Sequence, residues 1–242
     1  MRCYLFSSSC SLAAILAVAI LGHGALVASD ELSSTLNVGV YYESLCGDSI
    51  RFFKNQLVPS YDSVKDYVKF TFVPYGKASQ ARDPRTNEWK FSCQHGPAEC
   101  EGNMAQACGI HAIQNGEPAE KVQQLTVSLL GCVMSARYPP TSVPQCAKKA
   151  GLSEQTQQSI AQCIAGPLAK ELLAANGDQT NALQPKLSFV PTVTVNGVVD
   201  YPGSHHFQVG SDEIQRLALS NFRKLVCDNL PNDGRPAQCS SA

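Results

Sequence analysis

The cysteine set constrains this chain more than any other feature. Eleven cysteines occur in 242 residues. Two of them, Cys3 and Cys10, fall in an N-terminal stretch built like a secretory signal. Arg2 stands near its start, an uncharged apolar run follows from Leu12 to Leu21, and Val27-Ala28-Ser29 offers small residues ahead of Asp30. The run is too short to cross a bilayer, so residues 1–29 read as a cleaved signal peptide, and no later stretch is apolar enough to span. The cysteines that remain are Cys46, Cys93, Cys100, Cys108, Cys132, Cys146, Cys163, Cys227 and Cys239. A secreted chain so rich in cysteine is expected to be disulfide-bonded. An odd set leaves at least one thiol without a partner inside the chain.

Hydrophobic periodicity supplies the organisation. Leu36, Val38, Val40 and Tyr42 alternate with other residues in strand fashion. After Cys46-Gly47-Asp48-Ser49, the residues Ile50, Phe53 and Leu57 recur at helical spacing, and Pro59 is expected to end that helix. A second strand reads from Tyr67 to Val73. The region from about 77 to 186 carries six of the mature cysteines and looks mainly helical, with a polar loop around Asp83-Pro84-Arg85-Thr86-Asn87. One helix is predicted from about Pro118 to Met134. Another starts at Ser153, a suitable N-cap, is divided by Pro167, and ends at Asn176-Gly177. Strand signal returns at Ser188–Val195, and Asn196-Gly197 predicts a hairpin into Val198-Val199. A last helix is expected from about Ser211 to Cys227, followed by a loose tail over 228–242. The order strand, helix, strand, helical insert, hairpin, helix fits an α/β chain with a thioredoxin-like fold and a disulfide-rich, mostly helical insertion, in one domain over 30–227.

Charge excludes some partners. Lys and Arg number 19 against 20 Asp and Glu, with no long basic run, which argues against nucleic acid and anionic membrane. His205-His206 follows a loop-like Tyr201-Pro202-Gly203-Ser204 and reads as solvated.

Cys46 is the residue with a mechanism. A thiol where a strand ends and a helix begins meets the positive end of the helix dipole and free N–H groups, which favour the thiolate that attacks disulfides. An ordinary half-cystine is the competing reading of the position alone. Ser49 occupies the place from which a second cysteine would resolve a mixed disulfide. Its hydroxyl cannot do that, although it can donate a hydrogen bond to a Cys46 thiolate, whereas the Asp48 carboxylate disfavours one. Pro191, just before the Thr192–Val195 strand, stands where thioredoxin-fold enzymes resemble one another in carrying a cis-proline opposite the nucleophile. Cys93, His95, Cys100, Cys108 and His111 raise zinc as a possibility, but their spacing matches no common zinc pattern, and metal is expected to be absent.

The segment from Cys93 to Cys108 carries a specific resemblance. Cys93-Gln94-His95-Gly96, two residues, Glu99-Cys100, two residues, Asn103, four residues and Cys108 reproduces the signature of the gamma-interferon-inducible lysosomal thiol reductase family. The likeness runs from about Leu36 to Cys227. It implies a thiol-disulfide oxidoreductase acting on disulfide-containing proteins, in the endolysosomal lumen or outside the cell, with a bearing on antigen processing or host defence. It implies Cys46 as nucleophile, Pro191 as the cis-proline, and Cys93, Cys100 and Cys108 as disulfide partners. The other candidates for pairing are Cys132, Cys146, Cys163, Cys227 and Cys239, and eight cysteines allow about a hundred connectivities. The chain departs from the family in placing Ser49 where the second active-site cysteine belongs. It also has no Asn-x-Ser/Thr sequon, so delivery through mannose-phosphate glycans lacks support and simple secretion is at least as well founded.

The expectation is single-thiol chemistry at Cys46, with no cofactor and with a small external thiol as reductant. The alternative is a secreted binding protein whose catalysis is attenuated, engaging a protein or pathogen partner. A third reading is a covalent trap, in which mixed disulfides persist for want of a resolving thiol.

Overall fold

A computed structural model describes residues 35–199, 211–231, 235–237 and 239. The signal segment and the His205-His206 pair lie outside the described residues. Strand β1 (Leu36–Tyr42) is central, flanked by β2 (Val68–Pro74) in parallel and β5 (Thr192–Val195) antiparallel. The parallel pairing requires a crossover, which the helical segment after Cys46 provides. It runs as α1 (Gly47–Phe52), a π-helical turn over Phe53–Leu57, and α2 (Val58–Val64). Pro59 does not end this helix as expected. It sits in the first turn of α2, where its missing N–H and fixed φ cost little.

Between β2 and β5 come a hairpin and five α-helices. The hairpin joins β3 (Ser79–Arg82) to β4 (Trp89–Ser92). The loop expected around Asp83–Asn87 is the turn of this hairpin, where Asp83 Oδ1 accepts the N–H groups of Arg85 at 2.9 Å and Thr86 at 3.2 Å; the strands on either side were not expected. The hairpin is short and mostly exposed, so it has no buried face to generate alternation. It is held instead by α7: Gln80 Nε2 donates to Asp178 Oδ1 at 3.0 Å, and Trp89 Nε1 to Glu171 Oε2 at 2.9 Å.

The helices are α3 (Pro97–Gly116), α4 (Val122–Met134), α5 (Val143–Lys149), α6 (Glu154–Ala165) and α7 (Leu168–Asn181). Ser153 caps α6 by accepting from Thr156 N–H at 3.2 Å, and Pro167 separates α6 from α7. Helix α7 runs past Asn176-Gly177 because Gly177 packs inward against Gln80 and Tyr75, where a Cβ would lie 2.1 Å and 2.6 Å from their atoms. Sequence periodicity missed α3 and α5. Helix α3 buries Ala105, Ala107 and Ile113 but also Glu99, Asn103 and Gln106, so it shows no simple apolar stripe.

The expected C-terminal helix is two, α8 (Ser211–Ser220) and α9 (Phe222–Asn229). Asn221 breaks them, leaving the αR region at φ −155°, and its side chain accepts from Lys224 N–H at 3.0 Å to start α9. The segment read as a loose tail is tied back by the Cys227–Cys239 disulfide, with Leu230 buried. The expected second strand of the Asn196-Gly197 hairpin is reduced, among the described residues, to one bridge between Val195 and Val198. Asn196 and Gly197 both take positive φ, as a type I′ turn demands.

The larger apolar core joins β1, β2 and β5 to α1, α2, α4, α8 and α9 through Val38, Phe53, Leu130, Val193, Leu217 and Phe222. A second core, with Ile113, Leu129, Val143 and Ile160, lies among α3 to α6. Helix α4 serves both. This is a thioredoxin-like α/β fold with a helix-rich, disulfide-tied insertion. Phe53 is fully buried and packs against the rings of Tyr42, Phe52 and Phe72. Phe53→Ala is therefore expected to cost about 3–5 kcal/mol in a urea titration. The exposed Leu219 of α8, changed to Ala, should move stability by no more than about 0.5 kcal/mol.

Candidate active site

Cys46 is the N-cap of α1, with extended backbone (φ −66°, ψ 122°), and its carbonyl accepts the first helical bond from Ile50 N–H at 3.0 Å. Its thiol donates across the sheet to the Val190 carbonyl at 3.7 Å. The Val190–Pro191 peptide is cis. The nucleophile candidate thus lies against the peptide that begins β5, brought there because β5 pairs with β1 from Tyr41↔Thr192 onward. Thr192 Oγ1 donates to Phe189 O at 2.7 Å, a bond that spans that peptide. The outer edge of β5 is closed by Gln215 of α8, whose carboxamide oxygen accepts Val193 N–H at 3.0 Å and whose NH2 donates to Val193 O.

Cys46 is 8% exposed, so little of the residue meets solvent. Every other described cysteine is in a disulfide: Cys93–Cys100, Cys108–Cys163, Cys132–Cys146 and Cys227–Cys239. The cysteines raised as metal ligands are thereby committed elsewhere. Ser49 is fully buried, and its oxygen accepts Glu43 N–H at 3.4 Å. Asp48, expected to oppose a thiolate, is ion-paired on the surface with Arg51, which offsets part of its charge.

The segment leading to Cys46 is held by residues that sequence reasoning did not single out. Ser44 N–H donates to Asn103 Oδ1 at 2.8 Å, and Ser44 Oγ donates to Glu99 O at 3.0 Å. Tyr42 OH donates to Gln106 Oε1 at 2.7 Å. Glu99, Asn103 and Gln106 lie four and three residues apart and share one face of α3. Gly102 permits the approach, since a Cβ there would meet Ser44 Oγ at 2.4 Å. The signal that marks these residues is the fixed Glu and Asn of the signature itself, polar residues at helical spacing on a buried face.

Beside them lies a charged cluster. His95 Nδ1 is 2.6 Å from Glu99 Oε2 and 3.5 Å from Glu43 Oε2, and both carboxylates are fully buried. Burial pushes the Glu43 carboxyl above its ordinary value; the Lys77 N–H opposes this, Glu99 reinforces it and His95 opposes it. A cavity of about 450 Å³ opens elsewhere, along β2 and against α3, α4 and α7, lined by Phe70, Phe72, Ile110, Gln123 and Leu172 among others. Because the Glu43 value is raised on folding, its contribution favours the native state below the ordinary glutamate range of ~4.3. That contribution is lost as pH rises through the folded value. Urea titrations of metal-free protein should therefore show wild type gaining on Glu43→Gln at about pH 4 relative to about pH 7. A difference that does not vary with pH would contradict the assignment.

Residues 37–150 match the family model described as Gamma interferon inducible lysosomal thiol reductase (GILT). A Gamma-interferon-inducible lysosomal thiol reductase-like protein of Anopheles gambiae is 35% identical over 211 residues, covering 85% of this chain and 80% of that one. The Gamma-interferon-inducible lysosomal thiol reductase of Carassius auratus is 32% identical over 207 residues, covering 86% and 73%. Among solved structures, BdbD from Bacillus subtilis in its oxidised form aligns over 78% of this chain and 87% of that one, at 15% identity and a TM-score of 0.46. With a relative at this identity aligned along most of both chains, the chain belongs to the gamma-interferon-inducible lysosomal thiol reductase family.

Proposed function

We propose that this protein is a thiol-disulfide oxidoreductase that works through one nucleophilic sulfur, Cys46, on the disulfides of protein substrates. The observation that carries the reading is a free thiol at a helix N-cap, against the cis Val190–Pro191 peptide, with a buried hydroxyl at Ser49 in place of a second thiol.

The chemistry follows from that set. The Cys46 thiolate, facing the unpaired N–H groups of the first helical turn, attacks one sulfur of a substrate disulfide. The substrate S–S bond breaks, its leaving sulfur departs as thiolate and takes a proton, and Cys46 is left in a mixed disulfide. Ser49 cannot displace it. An external small thiol attacks the Cys46 sulfur, releases the second substrate thiol and leaves Cys46 joined to the small thiol. A second small thiol frees Cys46 as the small-molecule disulfide forms. In sum, one substrate disulfide is reduced and two small thiols are oxidised. Pro191 presents the Val190 carbonyl beside the sulfur, and Ser49 braces the loop through Glu43 N–H.

The working compartment we infer is the extracellular space or the endolysosomal lumen, which suits a chain whose described residues hold four disulfides. No helix of the described residues is long and apolar enough to cross a membrane. A binding protein with retired chemistry is the less favoured reading, because the lone thiol keeps the setting that disulfide exchange requires.

The assay is reduction of a disulfide-bonded protein with excess small thiol, near pH 4.5 and near pH 7. Cys46→Ser should fall to the rate of the small thiol alone. Ser49→Cys should raise turnover and make it less dependent on small-thiol concentration. Activity that survives Cys46→Ser would remove Cys46 from the mechanism. A wild type that is inactive while Ser49→Cys is active would show a sound scaffold without working single-thiol turnover.

A further inference from the structure

The cluster Glu43–His95–Glu99 is not used by the chemistry above. Glu43 lies just after β1, and Glu99 in the first turn of α3. Glu99 has a local reason to be there. At the third position of α3 it accepts His95 N–H at 3.0 Å through Oε1 and holds the His95 ring through Oε2, which ties down the residue before the N-cap Gly96. Glu43 holds the Lys77 N–H through one oxygen only, at 2.6 Å. It is 0% exposed, it stands beside a second buried carboxylate, and bringing two such groups together out of water is costly unless positive charge joins them.

The geometry is that of a prepared ligand set. Each carboxylate has one oxygen fixed by a backbone amide: Glu43 Oε1 accepts Lys77 N–H at 2.6 Å, and Glu99 Oε1 accepts His95 N–H at 3.0 Å. Each turns its other oxygen toward His95 Nδ1. The imidazole has one Nδ1 hydrogen at most, and Glu99 takes it. Glu43 Oε2 has no hydrogen-bond partner among the described residues, its 3.5 Å approach to the ring notwithstanding. The three ligand atoms lie within 4.8 Å of one another. Ligands at ~2.0–2.2 Å around a tetrahedral ion stand roughly 3.4 Å apart, so on binding the His95 ring moves off Glu99 and the Glu43 and Glu99 oxygens draw together through a small torsion of each side chain. The surroundings fix the acids. Gly76, at φ +63°, carries the chain over Glu43, where a Cβ would fall 2.2 Å from its Cγ. The Cys93–Cys100 disulfide closes the loop that holds His95 and Glu99. The exposed side of His95 gives an ion its way in.

We propose that Glu43, His95 and Glu99 bind a single divalent cation of the zinc class, at the base of the loop that carries Cys46. Two carboxylate oxygens and one imidazole suit zinc or manganese better than a soft ion such as copper(I). The set shares His95 with the cysteine–histidine group considered in the sequence but none of its cysteines, which are in disulfides. It also stands apart from the redox reading, since no step at Cys46 uses it.

The test is titration of zinc chloride into chelator-stripped, disulfide-intact protein carrying Cys46→Ser, so that the free thiol contributes nothing. Calorimetry and metal analysis after dialysis should give one zinc per chain. Glu43→Gln and His95→Gln should each weaken binding at least about tenfold, and affinity should fall from near pH 7 to about pH 5 as the ligands take up protons. Cobalt(II) in place of zinc should give visible d–d bands without a thiolate charge-transfer band. Absence of stoichiometric binding in the Cys46→Ser protein would overturn the proposal whatever the variants do. So would binding that survives both ligand substitutions, or that is lost instead on His205→Ala with His206→Ala. If Glu43→Gln fails to fold by circular dichroism, the half-exposed His95→Gln decides the same question.

Discussion

The position of Cys46 depends on one docking event, the seating of α3 against the segment Tyr42–Ser44. Three polar contacts make it: Tyr42 to Gln106, Ser44 N–H to Asn103, and Ser44 Oγ to the Glu99 carbonyl. All lie in the interior, where a donor or acceptor left without its partner costs about 1–3 kcal/mol. Such contacts add modestly to net stability but discriminate strongly against other placements of the loop. The strand delivers Cys46 to one end of the sheet; α3 fixes the turn that carries it.

That division of labour explains the architecture. The sheet and the crossover helices form a conventional apolar core, and the insertion brings a helix with a polar buried face to its edge. Two disulfides hold α3, Cys93–Cys100 at its start and Cys108–Cys163 in its body. The glycine at 102 lets the helix come close enough for side chain to meet main chain. On the opposite side, Gln215 of α8 satisfies both outward backbone groups of Val193, so β5 needs no further strand at that position. Loop, cis peptide and sheet edge are thus each held by a contact from a different part of the chain.

The fold was legible where residues alternate or recur around one buried face. Leu36–Tyr42, Val122–Met134 and the capped start at Ser153 are of that kind, because water on one side and core on the other write a period into the sequence. It failed where burial is not one-sided. Helix α3 buries small and polar residues together, so its composition read as a motif rather than as a helix. The β3–β4 hairpin faces solvent and is held by Arg82, Trp89 and Gln80 reaching to α7, contacts that no local pattern encodes. Cys46 could be singled out because strand end, helix start and an odd cysteine count coincide there. Glu43 could not, since its environment is made by Gly76, Lys77, His95 and Glu99, four residues at 33 to 56 positions' remove.

The disulfides carry one more consequence. An enzyme that breaks S–S bonds in the presence of reductant is surrounded by agents able to break its own, and a neighbouring copy is one of them. Exchange needs a sulfur that an incoming thiolate can reach in line with the bond. Each of the four bridges keeps at least one sulfur inside the protein, at Cys100, Cys108, Cys146 and Cys227. Cys108–Cys163 buries both, whereas the other three bridges leave Cys93, Cys132 and Cys239 half-buried. The scaffold is thus graded in its resistance to the reaction it hosts, most protected in the body of α3 and less protected at the three bridges that leave one cysteine half-buried.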